Sequence, residues 1–237
     1  MSDLPPDPDR QGGRPGDTGP PGEPTIPGLE PPGPGAPEEG FVETCVSVIT
    51  SPVPTLRRLT TTQPVGWAIA VIVIAGVASA IASATNPDPF GLGEAGPELR
   101  QATRGLAFLT PIFTLAAVAI GTAVVLLASK MLDGEATYKA LFVGFGFASL
   151  PAVFDVVAAL FGSVGGGGGT LAGLISFATF VWGLVLGVIA VREANRFSAG
   201  RAVGAIVLAG VGLALVIGIL FAVLFAAVFS AFRGVAG

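Results

Sequence analysis

The chain of 237 residues contains no histidine, one cysteine, one tyrosine and two tryptophans, and only 12% of it is charged. Without histidine there is no imidazole base, no Ser-His-Asp triad and no His-ligated metal. A single cysteine, Cys45, excludes an intramolecular disulfide, a four-cysteine zinc site and a thiolate-held iron–sulfur cluster. No cofactor is expected. Soluble domains average about 25% charged residues, so half of the usual solvating charge is missing. Lys+Arg 12 against Asp+Glu 16 leaves a net charge of −4, the wrong sign for a nucleic-acid partner. What takes the place of charge is apolar: 51% of residues are hydrophobic and the mean hydropathy is +0.77.

These averages hide a division of the chain. Residues 1–40 hold 12 prolines and 9 glycines, too little apolar surface to offset the entropy of ordering, and are expected to form a disordered tail. Gly16, Gly19 and Gly22 keep a three-residue period that fails at Thr25, too short for a collagen helix. Pro31-Pro32-Gly33-Pro34 reads as a solvated spacer or as a polyproline ligand for a protein partner. Through residue 43 there are 9 acids against Arg10 and Arg14, a net −7; beyond it 7 acids face 10 bases, a net +3. The acidity belongs to the tail, and the rest is mildly basic. No secretory signal is expected at the acidic, proline-rich start.

From residue 66 onward, apolar runs recur at the roughly 20-residue length that a bilayer requires. They cover residues 66–84, 106–129, 140–161, 171–191 and 203–229. The fold class is therefore all-α, a polytopic membrane protein with five transmembrane helices in a bundle. Strand-like alternation over ten-residue segments, the mark of a membrane β-barrel, is not seen. Pro111 falls inside the second run, where neighbouring groups would have to satisfy the carbonyl it frees. The third run carries Pro151 and Asp155, and Gly165–Gly169 reads as a hairpin to the fourth rather than as a phosphate loop. With the N-terminus cytoplasmic, the inner flanks hold Arg57, Arg58, Lys130, Lys139, Arg192, Arg196 and Arg201, against Arg100, Arg104 and Arg233 outside. That bias predicts N-inside and C-outside.

Residues 41–64 form the entry. Val42, Cys45/Val46 and Ile49 repeat at helical spacing, which predicts an amphipathic helix lying at the interface. Ser51 followed by Pro52 reads as an N-cap and first helical position, placing Arg57 and Arg58 at lipid headgroups. Cys45 is either a lipidation or redox site or a small residue of a buried face. Gly183 and Gly187, and Gly210, Ala214 and Gly218, have the four-residue spacing that lets helices approach, within one bundle or across a homo-oligomer.

The run Ile49-Thr50-Ser51-Pro52, with Thr55-Leu56-Arg57-Arg58-Leu59, Pro64 and Trp67 after it, resembles the entry of prokaryotic Yip-domain proteins, the Rab/Ypt-interacting membrane family. Gly134-Glu135-Ala136-Thr137-Tyr138-Lys139-Ala140-Leu141-Phe142 and then Leu150-Pro151 resemble that family's third-helix entry and its Leu-Pro. Val191-Arg192-Glu193-Ala194 through Arg201-Ala202 resembles the end of its fourth helix and the loop after it, except that Asn195-Arg196 replaces the family's frequent His-Gly. The resemblance spans about residues 45–229. It implies five membrane helices, a cytoplasmic N-terminus and a non-enzymatic scaffold or adaptor in the cell membrane.

Two sets of candidate site residues follow. Asp155 is the one acid deep in an apolar run, about six residues or roughly 9 Å from the outer end. It is either a structural acid, paired with Arg104 or hydrogen-bonded, or the proton or cation site of a small carrier or channel. Arg57, Arg58, Arg192, Arg196 and Arg201 are candidate cytoplasmic contacts for anionic lipid or a protein partner. No run carries the paired acids or Ser/Lys dyad of an intramembrane hydrolase.

Overall fold

A computed structural model describes residues 40–85, 105, 107–163 and 168–235. The tail and Arg104 lie outside the described residues, and so do the expectations attached to them. Two short helices, α1 (Phe41–Thr50) and α2 (Pro52–Thr62), precede α3 (Val65–Thr85), α4 (Thr110–Met131) and α5 (Tyr138–Ala148). A 3₁₀ turn at Leu150–Phe154 joins α5 to α6 (Asp155–Ser163), followed by α7 (Gly168–Asn195) and α8 (Ala199–Val235). Five helical stretches are long and apolar enough to cross a bilayer: Val65–Ala84, Thr110–Met131, Tyr138–Ser163, Gly169–Asn195 and Ala199–Val223. They pack as a helix bundle, as the sequence predicts, with no strand among the described residues.

The boundaries shift for identifiable reasons. The second span starts four residues later than its hydropathy suggests, because Pro111 sits in the first turn of α4. There its missing N–H has no helical acceptor to lose, so no carbonyl needs rescue. The third span is a broken helix rather than a continuous one. Pro151 cannot donate to the preceding turn, and its ring crowds the carbonyl four residues back, so the chain tightens to 3₁₀ and restarts at Asp155.

α5 lies at the centre: Leu141, Val143 and Phe147 are fully buried, with Leu186 and Ala190 of α7, Ile72 of α3 and Leu56 of α2. Lipid tails are as apolar as leucine, so close packing rather than burial selects such contacts. Gly144 and Gly146 provide it. A Cβ on Gly146 would lie 2.8 Å from the Ala68 Cβ, and one on Gly144 2.8 Å from the Ala190 Cβ. Gly183 and Gly187 face α5. A Cβ on Gly183 would lie 3.5 Å from the Ala148 carbonyl oxygen, and one on Gly187 3.5 Å from the Phe145 ring. The fifth-span series differs: Gly210, Ala214 and Gly218 are outward, and α8 buries only Ala202, Ala205 and Ala209 among its described side chains.

α2 begins where the sequence places it, at Ser51 and Pro52, although the Ser51 side chain makes no capping bond. Val42 and Val46 of the predicted apolar stripe are 71% and 54% exposed, while Thr44 and Val48 face the bundle. Both faces of α1 carry apolar residues, and periodicity does not distinguish the face that meets protein from the one that does not.

Candidate functional site

The basic flanks converge at one end of the bundle, where three connections between helices are tied to one another. Gln63, with a left-handed backbone (φ 52°), ends α2 and donates from Nε2 to the Thr137 hydroxyl at 3.4 Å. Thr137 is the N-cap of α5, its Oγ1 accepting from the Ala140 N–H at 3.2 Å. Asn195, at the end of α7 and 3% exposed, accepts from the Ala136 N–H at 3.1 Å. Its amide nitrogen lies 3.0 Å from the Val191 carbonyl and 3.3 Å from the Ser129 hydroxyl. One amide therefore joins the end of α4, the approach to α5 and the last turn of α7. Gly134 lies so close to Asn195 Oδ1 and the Ser129 carbonyl that no side chain fits there.

The candidate arginines occupy this end in two groups. Arg57 of α2 and Arg192 of α7 flank Glu193: Arg57 Nε is 2.7 Å from Oε2 and Arg192 Nε 3.6 Å from Oε1. The Glu193 side chain is only 7% exposed, and its hydrogen bond and charge raise the pKa of the Arg57 guanidinium further. Arg201 of α8 donates to the Leu132 carbonyl, lies 3.6 Å from Asp133 Oδ2 and stacks 5.0 Å from the Phe197 ring centre. Lys130 donates to the Gly134 carbonyl at 2.9 Å. Arg58 is exposed on α2, and Arg196 is exposed in a left-handed conformation (φ 56°) just after α7. The result is a polar clasp underneath and guanidinium groups outside. The same loops thus hold the bundle end together and set its charge.

Cys45 is half-buried on α1 beside the central core, and burial pushes its thiol pKa up. Less thiolate at neutral pH means slower alkylation. Labelling by a water-soluble maleimide at pH 7 is expected to run several-fold slower than in the unfolded chain and to accelerate as pH rises. Equal rates in folded and unfolded protein would contradict this.

At the other end, Asp155 opens α6 and lines a cavity of about 940 Å³ between α3, α6 and α7. Ser79 and Ser83 of α3, Ser149 before the 3₁₀ turn, and Ser176 and Thr179 of α7 share its walls. Thr179 Oγ1 is 3.3 Å from Asp155 Oδ1. Asp155 thus has a hydroxyl neighbour that the sequence does not point to. The described residues contain no group of three or more His, Cys, Asp or Glu able to hold a metal. Ser129 and Thr179 carry no sequence signal beyond being polar residues in or beside apolar runs, and Asn195 shows only as the departure from His-Gly.

Residues 46–223 match the family profile described as the Yip1 domain. No curated protein and no solved structure matches the chain.

Proposed function

The chain belongs to the Yip1-domain family, a non-catalytic family of membrane proteins, and from that premise we propose that it is a membrane scaffold or adaptor without enzymatic activity. The observation that supports this most is the tied, arginine-rich end of the bundle. Arg57–Glu193 at 2.7 Å and the Asn195 bonds hold Arg58, Arg192 and Arg196 on a fixed platform. A preformed basic surface suits an acidic protein segment or anionic headgroups, because little side-chain or loop ordering remains to be done on binding. On this reading the platform faces the cytoplasm, the N-terminus is cytoplasmic, and the membrane is the cell membrane. A reporter fused to the C-terminus and active only in the cytoplasm should therefore stay silent.

Crosslinking in cells tests the role. Full-length protein is compared with the chain lacking residues 1–40 and with Arg196→Gln, which leaves the Glu193 and Leu132 contacts in place. A specific partner recovered with the wild type is expected to fall several-fold in at least one variant, with thermal unfolding unchanged. Recovery of the same proteins from all three would remove the adaptor reading.

The cavity favours a second reading, a small carrier or channel using Asp155, because a broken span beside a cavity lined by an acid and hydroxyl residues is a feature of transport sites. Ion flux across liposomes that disappears in Asp155→Asn would place this reading first.

A further inference from the structure

The outer half of the bundle combines three features that a packing acid does not require. The first is size. About 940 Å³ lies at the upper end of the range for pockets that hold small organic ligands, and far exceeds the space around a single coordinated ion. The second is unsatisfied acceptor capacity. A carboxylate offers about four lone-pair positions. Its hydroxyl neighbour Thr179 has one proton and two acceptors, the Ser176 carbonyl at 2.9 Å and Asp155 Oδ1 at 3.3 Å. The nearer carbonyl holds that proton the better, which leaves the carboxylate with acceptor positions facing the cavity. The third is the two-sided wall. The hydroxyl-bearing residues Ser79, Ser83 and Ser176 line one part, and Phe180 and Leu184, both exposed on the outside of α7, line another.

We propose that this cavity binds the primary ammonium head of an amphiphile, with Asp155 as its counter-ion and the wall hydroxyls as further acceptors. An ammonium group has three donors and no acceptor, the complement of a carboxylate ringed by hydroxyl oxygens. Its hydrocarbon part would leave past Phe180 and Leu184 into the surrounding lipid. The head could come from an ethanolamine phospholipid of the bilayer or from a soluble alkylamine. This site is separate from the arginine platform and does not depend on the adaptor role.

The test uses the full chain in phosphatidylcholine nanodiscs doped with equal amounts of phosphatidylethanolamine and its N-monomethyl and N,N-dimethyl derivatives, with retained lipid measured by native mass spectrometry. Retention is expected to exceed that of phosphatidylcholine by about tenfold for the primary amine, roughly one charge-assisted contact, and to fall with each added methyl group. Asp155→Asn and Thr179→Val should bring retention close to parity, while Asp133→Asn at the opposite end should not change it. Displacement by octylamine would show that the site takes the ammonium from either source; retention in its presence would show that it takes the lipid. Equal retention of all four lipids by the wild type overturns the proposal, and this comparison needs no variant to fold. An excess that survives in Asp155→Asn overturns it as well.

Discussion

Asn195→Ala is expected to destabilise the bundle by about 3 kcal/mol, because each hydrogen bond contributes roughly 1 kcal/mol and an orphaned buried donor costs more. The substitution removes the acceptor of the Ala136 N–H and the donor that the Val191 carbonyl and Ser129 hydroxyl share. The Ala136 N–H is the group that suffers. Ala136 is buried, and its amide lies just before α5, where no helical carbonyl is available to it. Asn195→Asp separates the two halves of the clasp. It keeps the acceptor for Ala136 but, when ionised, loses the amide donor and sets a charge against the Val191 carbonyl. It should stay less stable than the wild type, because the Val191 carbonyl loses its donor. Unfolding of the purified full chain in detergent checks both variants. A change below about 0.5 kcal/mol in Asn195→Ala, well under the value of one hydrogen bond, would mean that water replaces the amide and that the clasp is not structural.

The clasp explains which part of this protein is legible in its sequence. A bilayer demands long uninterrupted apolar runs, so the five spans are visible in composition alone. Their ends are less so, because hydropathy marks apolar residues while caps and prolines mark helices. Thr137 starts α5 two residues before the apolar run, and Pro111 delays α4. The motif around Gly134–Leu141 that carries the family resemblance proves to be structural. Gly134 leaves room for Asn195, Ala136 donates to it, Thr137 caps α5, and Leu141 is fully buried. The Asn195-Arg196 departure from His-Gly fits the same geometry. Asparagine, like histidine, offers a donor and an acceptor, and Arg196 takes the left-handed backbone that glycine adopts without strain. The partners of Asn195 are not legible, since they lie 59 and 66 residues away and follow no period. Nor are the neighbours of Asp155. A single serine in an apolar run carries no signal until the fold brings several to one wall.

Gly146→Ala and Gly144→Ala are each expected to cost about 1–3 kcal/mol, the usual effect of overfilling a close-packed interior, and leucine at either position should prevent assembly of the bundle. The two positions are two residues apart, about 200° around a helix, so α5 is clamped on opposite sides. Gly146 meets α3 at Ala68, and Gly144 meets α7 at Ala190. The contacts differ in kind, and that makes the paired substitutions informative. A Cβ on Gly144 would strike the Ala190 Cβ at 2.8 Å, with the Ala190 Cα back at 3.6 Å, so Ala190→Gly removes the obstacle. A Cβ on Gly146 would strike the Ala68 Cβ at 2.8 Å and also its Cα and carbonyl oxygen at 3.2 Å. Ala68→Gly removes only the first of these. The Gly144→Ala/Ala190→Gly pair should therefore recover most of the lost stability, and the Gly146→Ala/Ala68→Gly pair only part of it. In double-mutant cycles on thermal unfolding, both couplings should be favourable and the α5–α7 coupling the larger. Equal rescue at both sites would mean that α3 yields as readily as a methyl group is deleted, and that the backbone approach at Ala68 does not fix the position of α5.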